Sequence, residues 1–260
     1  MCTVILDRRP DADWPIVLAA IRDERLSRTW RSPARHWPDR PEVTGGLDDA
    51  SGGSWMAMND AGVVAIVVNR RGTLGPAPGK RSRGELVLEA LDHADAVAAA
   101  TALADLNPEA YRPFNMVVAD NRDGFWIANR AESRVAVMPL PEGLSLLAAD
   151  ELNDPASPRD RFRARLAMGP RPDPARDDWH AWLEVMALSE HDPQDGPLGG
   201  MTVVTDRDYG TVCASLVGLP APGLIAADGT PAEPVWLFAP GRPGDGDWQR
   251  VAAEAPAPPR

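Results

Sequence analysis

Cysteine is scarce in this chain, with 2 residues in 260. So few exclude a disulfide-stapled scaffold and a four-cysteine zinc site. Lysine is scarcer still. Lys80 stands alone, so a Schiff-base mechanism has a single candidate, in the loop Pro76-Ala77-Pro78-Gly79-Lys80, where a solvated side chain is the simpler account. Long apolar runs are missing as well. Gly62 to Val68 and Met201 to Val204 fall far below the ~20 residues that a spanning helix needs. Asp7-Arg8-Arg9-Pro10-Asp11 interrupts the apolar start Cys2 to Leu6, short of the ~7–15 residues of a secretory leader's core. A cytoplasmic protein with no membrane span is expected. The four histidines His36, His93, His180 and His191 show no zinc-ligand spacing and no His-Glu-x-x-His, so no metal is expected. Gly-x-Gly-x-x-Gly, Walker A and Gly-x-Ser-x-Gly patterns are absent too. Cations are outnumbered 27 to 38, a formal charge of −11, and no nucleic-acid partner is expected, because phosphate affinity rests on clustered cations and released counterions.

What is present reads as a globular chain, with 44% hydrophobic and 25% charged residues. Apolar runs bounded by turn residues predict strands over Thr3–Leu6, Trp14–Ile21, Ser54–Met58 and Val63–Val68, the last two as a hairpin around Asn59-Asp60-Ala61-Gly62. The stretch 25–53, rich in Pro and Gly, reads as a long loop. Helical spacing follows. Ser82 and Glu85 form a capping-box pattern, and Asp95–Leu106 is an Ala-rich helix. Strands return over Asn115–Ala119, Phe125–Asn129, Val135–Met138 and Leu144–Ala148, then helices over Arg159–Met168 and Asp177–Leu188. Met201–Thr205 and Thr211–Val217 read as a strand pair, and Val235–Ala239 as the closing strand. No composition break divides the chain. One domain over 1–240 is expected, with a Pro/Gly/Ala-rich tail over 241–260.

Two local patterns carry chemistry. The chain opens Met1-Cys2-Thr3. A small second residue permits removal of Met1, which leaves a thiol and an α-amine on one residue. That amine has an ordinary pKa of ~7.7–8.0 and acts as a base near neutral pH without another side chain. The bland account is a small residue opening a strand. The second pattern is Ile21-Arg22-Asp23-Glu24, a charge cluster ending an apolar strand. In an extended segment Arg22 and Glu24 share one face, and Ile21 and Asp23 the other. Strands adjacent in sequence commonly pair, which brings the cluster beside the N-terminal amine and thiol. A nearby cation favours thiolate, and a carboxylate orients the amine. Which of Arg22, Asp23 and Glu24 faces the thiol is open at this level. Cys213, within an apolar run, reads as a small buried strand residue.

The ordered blocks Met1-Cys2, Ile21-Arg22-Asp23-Glu24, Gly52-Gly53-Ser54-Trp55-Met56-Ala57-Met58-Asn59, Val68-Asn69-Arg70, Ser82-Arg83-Gly84-Glu85-Leu86 and Tyr111-Arg112-Pro113-Phe114-Asn115 resemble the NRDE family. That family takes its name from an Asn-Arg-Asp-Glu motif and includes the eukaryotic transport-and-Golgi-organisation protein. The resemblance continues more weakly through Leu152-Asn153 and Tyr209-Gly210-Thr211, to about residue 217. It implies an α+β fold, a four-layer αββα sandwich similar to N-terminal-nucleophile (Ntn) hydrolases, with choloylglycine hydrolases and penicillin acylases as functional cousins. It implies Cys2 as nucleophile, Arg22, Asp23 and Glu24 beside it, and Asn69 and Asn153 as oxyanion donors. The chain departs from the pattern at Ile21, where the motif has Asn, and at Val212, where a Gly-Thr-Arg-Ser-like segment has Arg.

The expected function is an N-terminal-cysteine amidohydrolase acting on a linear amide, with a small-molecule substrate and no cofactor. The alternative, also implied by the family, is a non-enzymatic protein that binds and moves haem or a lipid or acyl metabolite. No Cys-Pro haem-regulatory dipeptide occurs.

Overall fold

The computed structural model describes residues 2–252. In chain order its elements are β1 (Thr3–Arg8), β2 (Ile16–Glu24), β3 (Trp30–Ala34), β4 (Val43–Asp48), β5 (Met56–Asn59), β6 (Val64–Asn69), α1 (Gly84–Leu91), α2 (Ala96–Ala104), β7 (Phe114–Ala119), β8 (Gly124–Asn129), β9 (Ala136–Pro139), β10 (Gly143–Leu147), α3 (Asp160–Met168), α4 (His180–Met186), β11 (Gly210–Leu219), β12 (Val235–Ala239) and β13 (Gln249–Arg250). These residues fall into two compact units. The first holds 2–28 and 141–250, and the second holds 29–140 with 251–252. Among the described residues, no helix is long and apolar enough to cross a membrane.

The first unit is built on a six-stranded sheet ordered β10-β1-β2-β11-β12-β13. Every neighbouring pair is antiparallel. β2 lies between β1 and β11, and Ile16 through Asp23 are all buried. Alternation sorts its side chains by face. Val17, Ala19 and Ile21 join Ile5, Leu146, Ala214 and Leu216 against Phe162 and Leu166 of α3 and Trp182, Val185 and Met186 of α4. The other face carries Leu18, Ala20 and Arg22. The expected strand over Met201–Thr205 does not form. Both edges of β11 are already taken, by β2 and β12. The segment instead bonds through Thr202 Oγ1 to the Met186 carbonyl (2.7 Å) and through Val203 N to Thr211 Oγ1 (2.8 Å). The helix expected from Asp177 begins at His180, because Asp177 sits in the left-handed region (φ 56°) and ends a 3-10 turn. Within 241–252, Pro243–Asp245 forms a 3-10 turn and Gln249–Arg250 pairs with β12. Residues 253–260 of the expected tail lie outside the described part.

The second unit is a seven-stranded antiparallel sheet in sequential order, β3 to β9. α1 and α2, inserted between β6 and β7, bury Leu86, Val87, Leu91, Ala99, Ala100 and Leu103 against Ala65, Met116, Val118 and Ile127 of the sheet. Two strands replace the long loop expected over 25–53. β3 is a mostly exposed edge strand containing Pro33, a residue tolerated only at such edges. β4 hides its pattern in Gly45 and Gly46. A Cβ on Gly45 would stand 2.4 Å from Ala57 Cβ, and one on Gly46 2.2 Å from the Trp55 ring. The capping box forms only on its Ser82 side. α1 starts at Gly84, whose N donates to Ser82 Oγ at 3.2 Å. Glu85 is drawn back to Arg81 Nε at 2.9 Å, while the Gly84 carbonyl accepts from Ser54 N at 3.1 Å.

Candidate active site

The candidate site lies in the first unit, at the end of β2. The β1–β2 ladder pairs Thr3 with Ile21. One step further in the same antiparallel register, Cys2 falls beside Arg22. On the other side of β2, Arg22 pairs with Cys213 of β11. Residues directly opposite one another share a face. Cys2, Arg22 and Cys213 therefore form a row across three strands, on the face away from α3 and α4. A register shift between Thr211 and Cys213 absorbs Val212 and sets Thr211 opposite Asp23. Both cysteines are free. Two strand spacings separate them by roughly 10 Å, beyond the Cα span of about 7 Å that a disulfide allows.

Asp23 occupies the opposite face and is 1% exposed. Its carboxylate accepts from Thr211 Oγ1 at 2.6 Å and from Arg159 Nη2 at 2.7 Å. Its backbone carbonyl accepts from the Tyr209 hydroxyl at 3.2 Å and faces Cys2 Sγ at 3.7 Å. Arg159 is the N-cap residue of α3. It donates to Thr3 Oγ1 as well as to Asp23, and its Nε to the Leu198 carbonyl at 3.3 Å. The Arg159–Asp23 pair is buried, with side chains 1% and 0% exposed. Such a pair holds only where further hydrogen bonds offset desolvation, which Thr3, Thr211 and Leu198 provide here.

The electrostatics follow from this burial. The half-buried Cys2 thiol is pushed above its ordinary 9.0, first by burial and further by the Asp23 carboxylate, while the N-terminal ammonium, then the Asp23 carbonyl and Arg22, pull it back. Burial raises the Cys213 thiol strongly, again with Arg22 opposing. A thiol so placed is protonated at neutral pH and needs a base to attack. Burial also raises the Tyr209 phenol, so it remains a neutral donor to Asp23.

The structure thus gathers Cys2, Arg22 and Asp23 and divides their positions. Arg22 shares the thiol's face, and Asp23 meets Cys2 through its carbonyl from behind. Glu24 ends β2 opposite Gly210. Its carboxylate accepts from Arg25 N at 2.9 Å and lies 3.9 Å from Arg28. Asn153 adopts φ 56° and clasps the edge of β10. Its backbone N donates to the Leu146 carbonyl (2.9 Å), its Oδ1 accepts from Leu146 N (2.8 Å), and its Nδ2 donates to Ser145 Oγ (3.3 Å). Leu146 pairs with Ile5, three residues along β1 from Cys2, or roughly 10 Å at strand rise. Asn69 closes β6 opposite Phe114, in the second unit.

Arg159, Thr211, Tyr209 and Thr3 were not readable as site residues. For Arg159 one signal exists. A cation at the start of a helix opposes the macrodipole, so a tertiary partner must repay it. Among the described residues, no group of three or more His, Cys, Asp or Glu side chains is placed to hold a metal ion.

The model of the Transport and Golgi organisation 2 family matches residues 1–217, and the chain belongs to that family. No curated protein matches the sequence. Among solved structures, the chain is similar to a Caenorhabditis elegans N-acylethanolamine-hydrolyzing acid amidase ortholog. The TM-score is 0.56 at 16% identity, over 90% of this chain and 98% of that one. It is also similar to the R18L variant of conjugated bile acid hydrolase from Clostridium perfringens, with a TM-score of 0.50 at 12% identity, over 96% of this chain and 92% of that one. These likenesses establish the α+β fold of the Ntn-hydrolase kind.

Proposed function

We propose that this family member is an N-terminal-cysteine amidohydrolase that cleaves the C–N bond of a linear amide after Met1 is removed. The observation that carries the reading is the seat of Cys2. It lies half-buried at the head of β1, its Sγ faces the Asp23 carbonyl, and the register sets it beside the Arg22 guanidinium. With its thiol pushed up by burial, Cys2 requires a base, and the freed α-amine is one on the same residue.

The steps balance without a cofactor. The α-amine takes the S–H proton as sulfur bonds to the amide carbon. The oxyanion that forms calls for amide donors, for which the family pattern offers Asn153 within the first unit. One such donor is worth about 2.7–4 kcal/mol in the transition state. The α-ammonium then protonates the leaving nitrogen, and the C–N bond breaks to give a thioester. Water, deprotonated by the same amine, attacks the thioester carbon. The C–S bond breaks, and the proton returns to sulfur. Arg22 favours the thiolate, and Asp23 holds the strand end behind it.

Intact-mass measurement tests the premise, with loss of Met1 expected. Amine release from a panel of N-acyl amides tests the chemistry. Cys2→Ala is expected to abolish turnover, and Cys2→Ser to reduce it by at least about 100-fold, since an alcohol is the weaker nucleophile. Retained Met1, or full activity in Cys2→Ala, sinks the mechanism. Binding of haem or an acyl metabolite without turnover, undisturbed by Cys2→Ala, supports the carrier function instead.

A further inference from the structure

We propose that Arg159 is the positioning residue of this site, gripping from α3 the two residues that place Cys2. One of these is Thr3, next to Cys2 in β1, whose Oγ1 accepts from Arg159 Nη1. The other is Asp23, whose carboxylate accepts from Nη2 at 2.7 Å and whose carbonyl faces Cys2 Sγ at 3.7 Å. Nε, directed to the Leu198 carbonyl at 3.3 Å, fixes the plane of the guanidinium. One rigid, planar group therefore ties the first residue of β1 to the end of β2, and a lysine lacks the fork to do the same. Nothing local accounts for Arg159. It stands at the helix end where a cation is disfavoured, and its side chain is 1% exposed. The charge balance has a consequence at the thiol. The Asp23 carboxylate raises Cys2, and the Arg159 cation faces that carboxylate and moderates its field.

The inference rests on Cys2 being the nucleophile, but its test needs no substrate. The rate of iodoacetamide alkylation is measured against pH, and Cys2 is read from the tryptic peptide ending at Arg8, which excludes Cys213. Four proteins complete a cycle: wild type, Arg159→Met, Asp23→Asn and the double variant. Arg159→Met takes one cation away from the Asp23 carboxylate, which then raises the thiol further, and the alkylation midpoint is expected to rise by about one pH unit, a tenfold slower reaction below it. Asp23→Asn removes the carboxylate that raises the thiol and is expected to lower the midpoint by a similar amount. The double variant returns near wild type. Arg159→Lys keeps the charge and is expected to hold the midpoint to within about half of the Arg159→Met shift.

A folded Arg159→Met with the wild-type midpoint overturns the proposal, as does a Cys2 that resists alkylation throughout. Should Arg159→Met fail to fold, Asp23→Asn and the double variant decide. Identical midpoints in those two mean that the Arg159 charge is not felt at Cys2, and the proposal falls. A purely structural Arg159 changes melting temperature and leaves all the midpoints together. Retained Met1 or absent turnover would sink the hydrolase reading while leaving this cycle readable.

Discussion

Burial governs ionisation around the two tyrosines as it does around Cys2. Tyr111 is raised from 10.0 to about 12, by burial first and then by the Glu89 carboxylate. Tyr209 is raised further, by burial first. These are the only tyrosines in the chain. An ultraviolet difference titration of the folded protein should therefore show no phenolate step near pH 10. Denaturant should reveal an ordinary one. The sign for stability follows. The unfolded Tyr111 loses its proton above pH 10, while the folded one keeps it to about 12. The folded state then binds more protons, so unfolding free energy falls as pH rises across that window. Urea midpoints taken across it check the direction.

At the scale of elements, two of the family blocks meet in packing. Gly53 of the Gly-Gly-Ser-Trp block lies against Gly84 of the Ser-Arg-Gly block, and a Cβ on Gly53 would stand 2.5 Å from the Gly84 carbonyl carbon. Neither backbone can yield without breaking the Ser54 N to Gly84 O bond of 3.1 Å. Gly53→Ala should destabilise by about 1–3 kcal/mol, read by urea denaturation. Asn153 also supports an element. Its left-handed backbone and side-chain bonds hold the outer edge of β10. Asn153→Ala loses those bonds and strains the backbone, and should lower stability by about 1–3 kcal/mol. Asn153→Gly keeps the conformation and should cost less. If turnover falls equally in both, Asn153 acts in the chemistry; if it tracks stability, Asn153 acts only on β10. Elements with clean apolar periodicity were legible from sequence, β2, β6, β7 and α2 among them. β3 and β4 were not, because an exposed edge strand with Pro33 and a strand built on Gly45 and Gly46 carry no alternation to read.

At the scale of the whole molecule, each unit has its own core on one face of its sheet. Leu86 and Leu216 are both 0% exposed, one in each core. Leu86→Ala and Leu216→Ala should each cost about 2–5 kcal/mol, measured by chemical denaturation. A loss confined to one of the two would mean that the other core tolerates a void. The sequence by itself determined the family, the singular position of Cys2 and the alternation that sets Arg22 and Asp23 on opposite faces. These are properties of residue order and strand period, which need no long-range information. Only the tertiary structure decided which side chain answers Asp23. Arg159 lies 136 residues away along the chain, and no local spacing encodes that meeting. A buried carboxylate must find a cation wherever the packed helices and sheet bring one within hydrogen-bonding distance.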